Sequence, residues 1–175
     1  MLPSSFSLLT LKEAGWSGIL REDHDTYEGN ATQKAITVAE ALRINCLSDD
    51  SGLSVEALDG APGVFSARYA GLQATDQQNL DKLIEAMKNI QDRRAKYVAV
   101  LCLVWEGKPY LFKGEVTGLL ALEPRGTEGF GYDPLFIPDG FSSTFAEMSP
   151  SQKNSLSHRS KALVELVRFL ENTFS

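Results

Sequence analysis

The chain has 175 residues, 43% of them hydrophobic and 9% aromatic, enough to bury a true core as a single domain spanning 1–175. A formal net charge of −6 excludes a nucleic-acid polymer as the main partner, because phosphate-backbone binding is driven by basic surface, and leaves room for a small anion that carries its own metal. Met1 to Trp16 has no basic n-region and only short apolar pairs, so neither a signal peptide nor a membrane span is expected and the protein reads as cytoplasmic.

In chain order, Thr26 is placed to cap a helix whose apolar positions Ala31, Ala35, Val38, Ala39 and Leu42 follow the helical period, and Asn45 suits the turn after it. The apolar stretch Ile44 to Leu47 predicts a strand ending at Leu47, and Leu53 to Leu58 predicts a second. Thr75 opens another amphipathic helix with Leu80, Leu83, Ile84, Met87 and Ile90 on one side. Tyr97 to Trp105 is an unbroken apolar run, which suits a strand covered on both faces; Glu106-Gly107-Lys108 then turns into a strand from Pro109 towards Leu122. Ser149-Pro150 reads as an N-cap with proline at the first helical position, and the last helix carries Ala162, Leu163, Leu166, Val167 and Leu170 on one stripe. Cys46 and Cys102 sit in strand-like apolar runs and read as buried free thiols. This order predicts one α/β domain with a mixed sheet. It carries neither a dinucleotide-binding glycine fingerprint nor a Walker A lysine.

Two acidic, glycine-bearing blocks stand apart. One is Ser48-Asp49-Asp50-Ser51-Gly52, running on through Gly60-Ala61-Pro62-Gly63 to Ser66-Ala67-Arg68-Tyr69; the other is Gly129-Phe130-Gly131-Tyr132-Asp133-Pro134. At the carboxyl end of a strand, where open α/β sheets bind ligands, paired carboxylates suit a hard divalent cation such as magnesium. Taken singly, an Asp-Asp-Ser-Gly string is most often a solvated turn, Lys34 a solvated helix residue, Arg68 a structural ion pair and His158 a capping or packing group. The length of the first block argues against the bland reading.

The strings SDDSGLSVEALDGAPGVFSARYAG at 48–71, GFGYDPLF at 129–136 and FAEMSPSQKNSLSHRSKAL at 145–163 resemble, in this order, the Ham1/inosine triphosphatase family of nucleotide pyrophosphatases. The likeness runs from about Leu8 to Leu170. It implies magnesium-dependent hydrolysis of non-canonical purine nucleoside triphosphates (ITP, dITP, XTP) to the monophosphate and pyrophosphate. It also implies an elongated mixed sheet flanked by helices, two lobes with a central substrate cleft, and a homodimer. Asp50 takes the family's role of metal ligand and base, with Asp49 assisting it. Ser51 donates to a phosphate oxygen, and Lys34 and Arg68 neutralise charge. The second block reads the base: Phe130, in Gly131-Tyr132 context, offers a ring for stacking, and Lys153, His158 and Arg159 supply donors that match a 6-oxo group. Asp133 accepts from the N1 or N2 side of the ring.

Two departures accompany the likeness. Family members begin with a strand and a Ser/Thr-x-Asn-x-x-Lys loop that this sequence lacks, so Met1-Leu2-Pro3-Ser4 is expected to start where the family's first helix ends, leaving a less stable and less active form. The metal-binding glutamate that many members place before the Asn-Ala pair is Gly29 here, and Glu28 is the adjacent substitute. Two other readings stay open: a non-catalytic nucleotide-binding relative, and a Maf-type pyrophosphatase acting on modified pyrimidines.

Overall fold

The structure, a computed structural model, describes residues 6–174, so the expectation about Met1-Leu2-Pro3-Ser4 lies outside the described residues. Helix α1 spans Tyr27–Leu42 and strand β1 spans Cys46–Val55; after the 3-10 turns Glu56–Leu58 and Gly63–Arg68 come α2, Asp76–Met87, then β2, Arg94–Trp105, and β3, Lys108–Leu120. A short β4, Phe136–Pro138, and a 3-10 turn, Phe145–Glu147, lead to α3, Pro150–Leu156, and α4, His158–Phe174.

Local chemistry explains the boundaries. Thr26 is extended and its hydroxyl accepts the Gly29 N–H at 3.1 Å, while Arg43 ends α1 in the left-handed region at φ 55°. Thr75 and Gln78 form a reciprocal capping box at the start of α2. Glu106 and Gly107 both have positive φ, 48° and 76°, the two-residue turn whose twist suits an antiparallel hairpin between β2 and β3. Ser149 caps α3 with Pro150 following, as expected.

The strands form one sheet in the order β1-β2-β3-β4, antiparallel and flanked by helices. Strands β3 and β4 pair with Leu119 opposite Ile137. The chain divides into two compact units: one holds residues up to Asp50, Ala99–Gly114 and those from Lys161 on, the other Ser51–Val98 and Glu115–Ser160. In the first unit Ala99, Leu101 and Leu103 of β2 and Phe112 of β3 pack on Ala162, Leu166 and Leu170 of α4. In the second, Leu53, Val55, Leu83, Met87, Phe136 and Phe145 are the centre of the core. Tyr97 to Val104 is buried throughout, as its unbroken apolar run predicts.

Several expectations are corrected. No strand ends at Leu47 with another beginning at Leu53: β1 is continuous through Asp49, Asp50 and Ser51, and Glu56–Leu58 is a 3-10 turn. Acidic residues disfavour strands by propensity, but here tertiary partners hold the polar side chains and the backbone stays extended. The final helix is two helices, because Ser157 is extended at φ −66°, ψ 156° and its hydroxyl accepts the Ser160 N–H at 3.2 Å, restarting the helix at His158. Of the stripe on α4, Leu163 is exposed; of the α2 stripe, Ile90 lies beyond the helix end. Cys102 is buried and Cys46 half-buried, both as free thiols. Among the described residues no helix is long and apolar enough to cross a membrane.

Gly52 is needed for a close approach. A Cβ there would run into the carbonyl oxygen of Gly63 and the hydroxyl of Ser66, and that hydroxyl is already committed, accepting the Leu53 N–H at 2.9 Å and donating to Gly63 O at 2.6 Å. Gly52→Ala is therefore expected to force the Gly63–Arg68 turn outwards and to destabilise the fold by about 1–3 kcal/mol. That corresponds to roughly 2–12 °C in melting temperature; an unchanged melting curve would show that the turn yields freely.

Candidate functional site

In the first unit, α1 presents Asn30 and Lys34, four residues and so about 40° apart on one helix face, to β1. The Lys34 ammonium donates to Asp50 Oδ1 at 2.8 Å and to Glu22 Oε1 at 2.8 Å. Asn30, fully buried, accepts the His24 N–H at 2.9 Å and donates to Asp50 Oδ2 at 3.5 Å. Ser48, two residues before Asp50 and so on the same face of the strand, donates to Ala31 O at 2.5 Å. Asp50 is 6% exposed.

The charges are held unequally. Burial, and after it the nearby Glu22, hold the Asp50 carboxyl above its usual range against the pull of Lys34. Burial opposes the charge on Lys34 too, but its hydrogen bonds to Asp50 and Glu22 win and raise it above an ordinary lysine. The result is a fixed cation beside a carboxylate of heightened proton affinity.

Two sequence-based assignments differ from this arrangement. Adjacent strand residues point to opposite faces, so Asp49 projects away from the α1 side on which Asp50 meets Lys34. Glu28 pairs with Lys113 at 3.4 Å instead of facing Asp50; it lies six residues before Lys34, about 240° around the helix. Glu22 stands in the place expected for Glu28. It lies in irregular chain 12 residues before Lys34, where no periodicity could mark it; Asn30 was detectable from its spacing to Lys34.

The oxygens of Glu22 and Asp50, with the Asn30 amide, are the hard donors that magnesium prefers, and magnesium is held by one or two carboxylates together with substrate phosphates. Among the described residues no group of three or more His, Cys, Asp or Glu side chains is gathered for a metal. A two-carboxylate set fits a metal shared with a phosphate ligand better than a closed all-protein cage.

The second unit carries the other predicted residues. Asp133 is buried and its carboxylate is committed: Oδ2 accepts Lys153 Nζ at 2.5 Å and the Phe130 N–H at 2.8 Å, and Oδ1 accepts the Tyr97 hydroxyl at 3.4 Å. It organises the loop and anchors Lys153. Gly129 is obligatory there, because φ is 80° and a Cβ would strike the Asp133 carboxylate. Phe130 is 59% exposed, with Lys153 Nζ 4.8 Å and the Arg159 guanidinium 5.5 Å from its ring centroid.

Arg159 also donates to Ser51 Oγ at 2.5 Å. The Gly131 N–H donates to Asp76 Oδ2 at 2.9 Å. Tyr132 is a core residue, 3% exposed, its hydroxyl donating to Ser66 O at 2.8 Å, and burial pushes the phenol up. Arg68 lies over the Phe65 ring at 5.2 Å. His158 is buried with Nδ1 unpartnered, and burial, then the charges of Arg159 and Lys153, lower its pKa to about 3. It is a neutral imidazole at physiological pH.

The Ham1 family model matches residues 1–169. A Flavobacterium johnsoniae protein named dITP/XTP pyrophosphatase is 43% identical over 173 residues, covering 99% of this chain and 90% of that protein. A Bacillus subtilis protein of the same name is 41% identical over 172 residues, covering 97% and 87%. Among solved structures, a HAM1 protein from Coxiella burnetii superposes with a TM-score of 0.88 at 40% identity, covering 93% of this chain and 84% of that one. The Staphylococcus aureus Ham1 protein superposes with a TM-score of 0.85 at 41% identity, covering 89% and 81%.

Proposed function

Because the chain belongs to the Ham1 family, we propose that it hydrolyses the non-canonical purine nucleoside triphosphates ITP, dITP and XTP to the monophosphate and pyrophosphate. The observation that carries this reading is the buried Asp50 held by Lys34 in the middle of the Asp-Asp-Ser-Gly strand. Such a carboxylate accepts a proton from water while the neighbouring ammonium offsets phosphate charge.

Water attacks the α-phosphorus, a new phosphorus–oxygen bond forms, and the bond from that phosphorus to the oxygen bridging to the β-phosphate breaks. The water's proton passes to the Asp50 carboxylate, and the electron pair of the broken bond leaves on pyrophosphate. Asp50 and Glu22 are the residues that would hold magnesium, which when bound neutralises phosphate oxygens; Glu28, tied to Lys113, is left out of that set. Asp49 lies on the other face of the strand, and Ser51 offers a phosphate-directed donor. Arg68 contributes positive charge.

In the second unit, Lys153, Arg159 and neutral His158 are donors for a 6-oxo purine, with the exposed Phe130 ring as a stacking surface. An amino group at position 6 would leave a buried donor unpaired, at a cost of about 1–3 kcal/mol. The same reading carries a single domain over 1–175 that works as a cytoplasmic homodimer on the nucleotide pool. Anion-exchange separation of the products tests it: the expected result with magnesium is monophosphate plus pyrophosphate from ITP, dITP and XTP, at rates well above that for ATP. Release of single phosphate, or equal turnover of ATP, would refute it.

A further inference from the structure

Tyr97 lies inside β2 and is buried. Its ring is held by Phe136, with centroids 4.8 Å apart and planes at 70°, and by Phe145 at 5.8 Å. Its free groups reach two members of the Asp133 cluster. The ring face lies against the His158 imidazole, with centroids 4.7 Å apart and planes within 5° of parallel, and the hydroxyl donates to Asp133 Oδ1 at 3.4 Å. Burial, followed by the charge of Asp133, pushes this phenol well up, so it stays a donor.

His158 Nδ1 is buried and makes no hydrogen bond. The plane in which that nitrogen points is therefore set by the stack on Tyr97 rather than by a polar partner at Nδ1. Asp133, tied by the Tyr97 hydroxyl, in turn holds Lys153 and the Phe130 N–H. The Tyr97 ring thus lies on the imidazole, while its hydroxyl reaches the carboxylate that anchors the lysine.

We propose that Tyr97 is a specificity-determining positioning residue, whose ring fixes the plane of His158 so that the imidazole keeps the geometry that separates 6-oxo from 6-amino purines. The role rests on the triphosphate-hydrolase reading above. Tyr97 touches no reacting atom, so its loss acts on selection and not on the chemical step. In Tyr97→Leu the ratio of kcat/KM for ITP over ATP is expected to fall at least about tenfold, mainly through KM for ITP. In Tyr97→Phe, which keeps the ring, the ratio should stay within about threefold.

Proton NMR gives a readout that a purely structural role would not share. The chain has only two histidines, His24 and His158, so His24→Gln assigns the spectrum. The His158 ring protons are expected upfield of those of His24 in the wild type and in Tyr97→Phe, from the ring current of the stacked partner, and to lose that shift in Tyr97→Leu. A wild-type spectrum without the upfield shift overturns the proposal, as does a folded Tyr97→Leu variant with the wild-type ITP/ATP ratio. A Tyr97→Phe variant that loses discrimination overturns the ring's role, and this result stands even if Tyr97→Leu fails to fold. Equal turnover of ITP and ATP by the wild type sinks the functional reading itself, while an upfield shift in that same protein would still place the imidazole on Tyr97.

Discussion

Asp50→Asn is expected to lower turnover of ITP by more than about 100-fold, because the amide keeps the shape of the carboxylate but neither accepts the water's proton nor attracts a cation. Stability should not follow activity down. The Asp50 carboxyl is raised by burial and by Glu22 despite Lys34, so the folded chain binds that proton more tightly than the unfolded chain. The stability this group contributes is complete below its unfolded pKa, about 3.9, and is lost as pH rises through the higher folded value. At neutral pH the ionised side chain is a net burden that asparagine removes, and Lys34 keeps Glu22 as its partner at 2.8 Å. The melting temperature of the variant at pH 7 is thus expected to equal or exceed that of the wild type. Thermal unfolding and steady-state kinetics on the same preparations check both parts. Near-normal turnover would move the base to another carboxylate, and a steep drop in melting temperature would show that the Asp50–Lys34 pair contributes more than burial takes away.

Lys34→Met should harm both properties. The side chain of Lys34 is 11% exposed and joins two carboxylates at 2.8 Å each. Removing one member of a buried ion pair typically costs about 3–5 kcal/mol, equivalent to roughly 6–20 °C of melting temperature in a chain of this size. The sign of the pH dependence is diagnostic. With the cation gone, only the Asn30 hydrogen bond still opposes burial and Glu22, and the Asp50 carboxyl is raised further. The deficit should be greatest near pH 8 and shrink towards pH 5 as Asp50 takes up a proton. The raised lysine of the wild type contributes stability throughout that range, since its share is lost only as pH rises through a value above about 10.4. Turnover should fall by about 10–150-fold, the value of one charge-assisted hydrogen bond to phosphate. A deficit that does not vary with pH would mean that lost packing of the lysine stem, not charge, is responsible.

The sequence alone sufficed for the elements whose signals are local. Thr26, Thr75 and Ser149 mark helix starts because an N-cap is settled by a side chain and the next turn of backbone. The apolar run Tyr97 to Val104 marks a strand covered on both faces because nothing polar interrupts it. The family likeness likewise lay in linear strings. Tertiary structure decided what depends on residues distant in the chain. It carried β1 straight through Asp49-Asp50-Ser51, where propensity suggested a break, because Lys34 and Arg159 hold the polar side chains. It turned Glu28 to Lys113 and brought Glu22 to Lys34, since helix rotation and the path of an irregular segment settle which carboxylate meets which cation. It committed Asp133 to Lys153, Phe130 and Tyr97 and placed Tyr132 in the core. Burial and partnership are properties of the assembled chain, and no local pattern along the sequence fixes them.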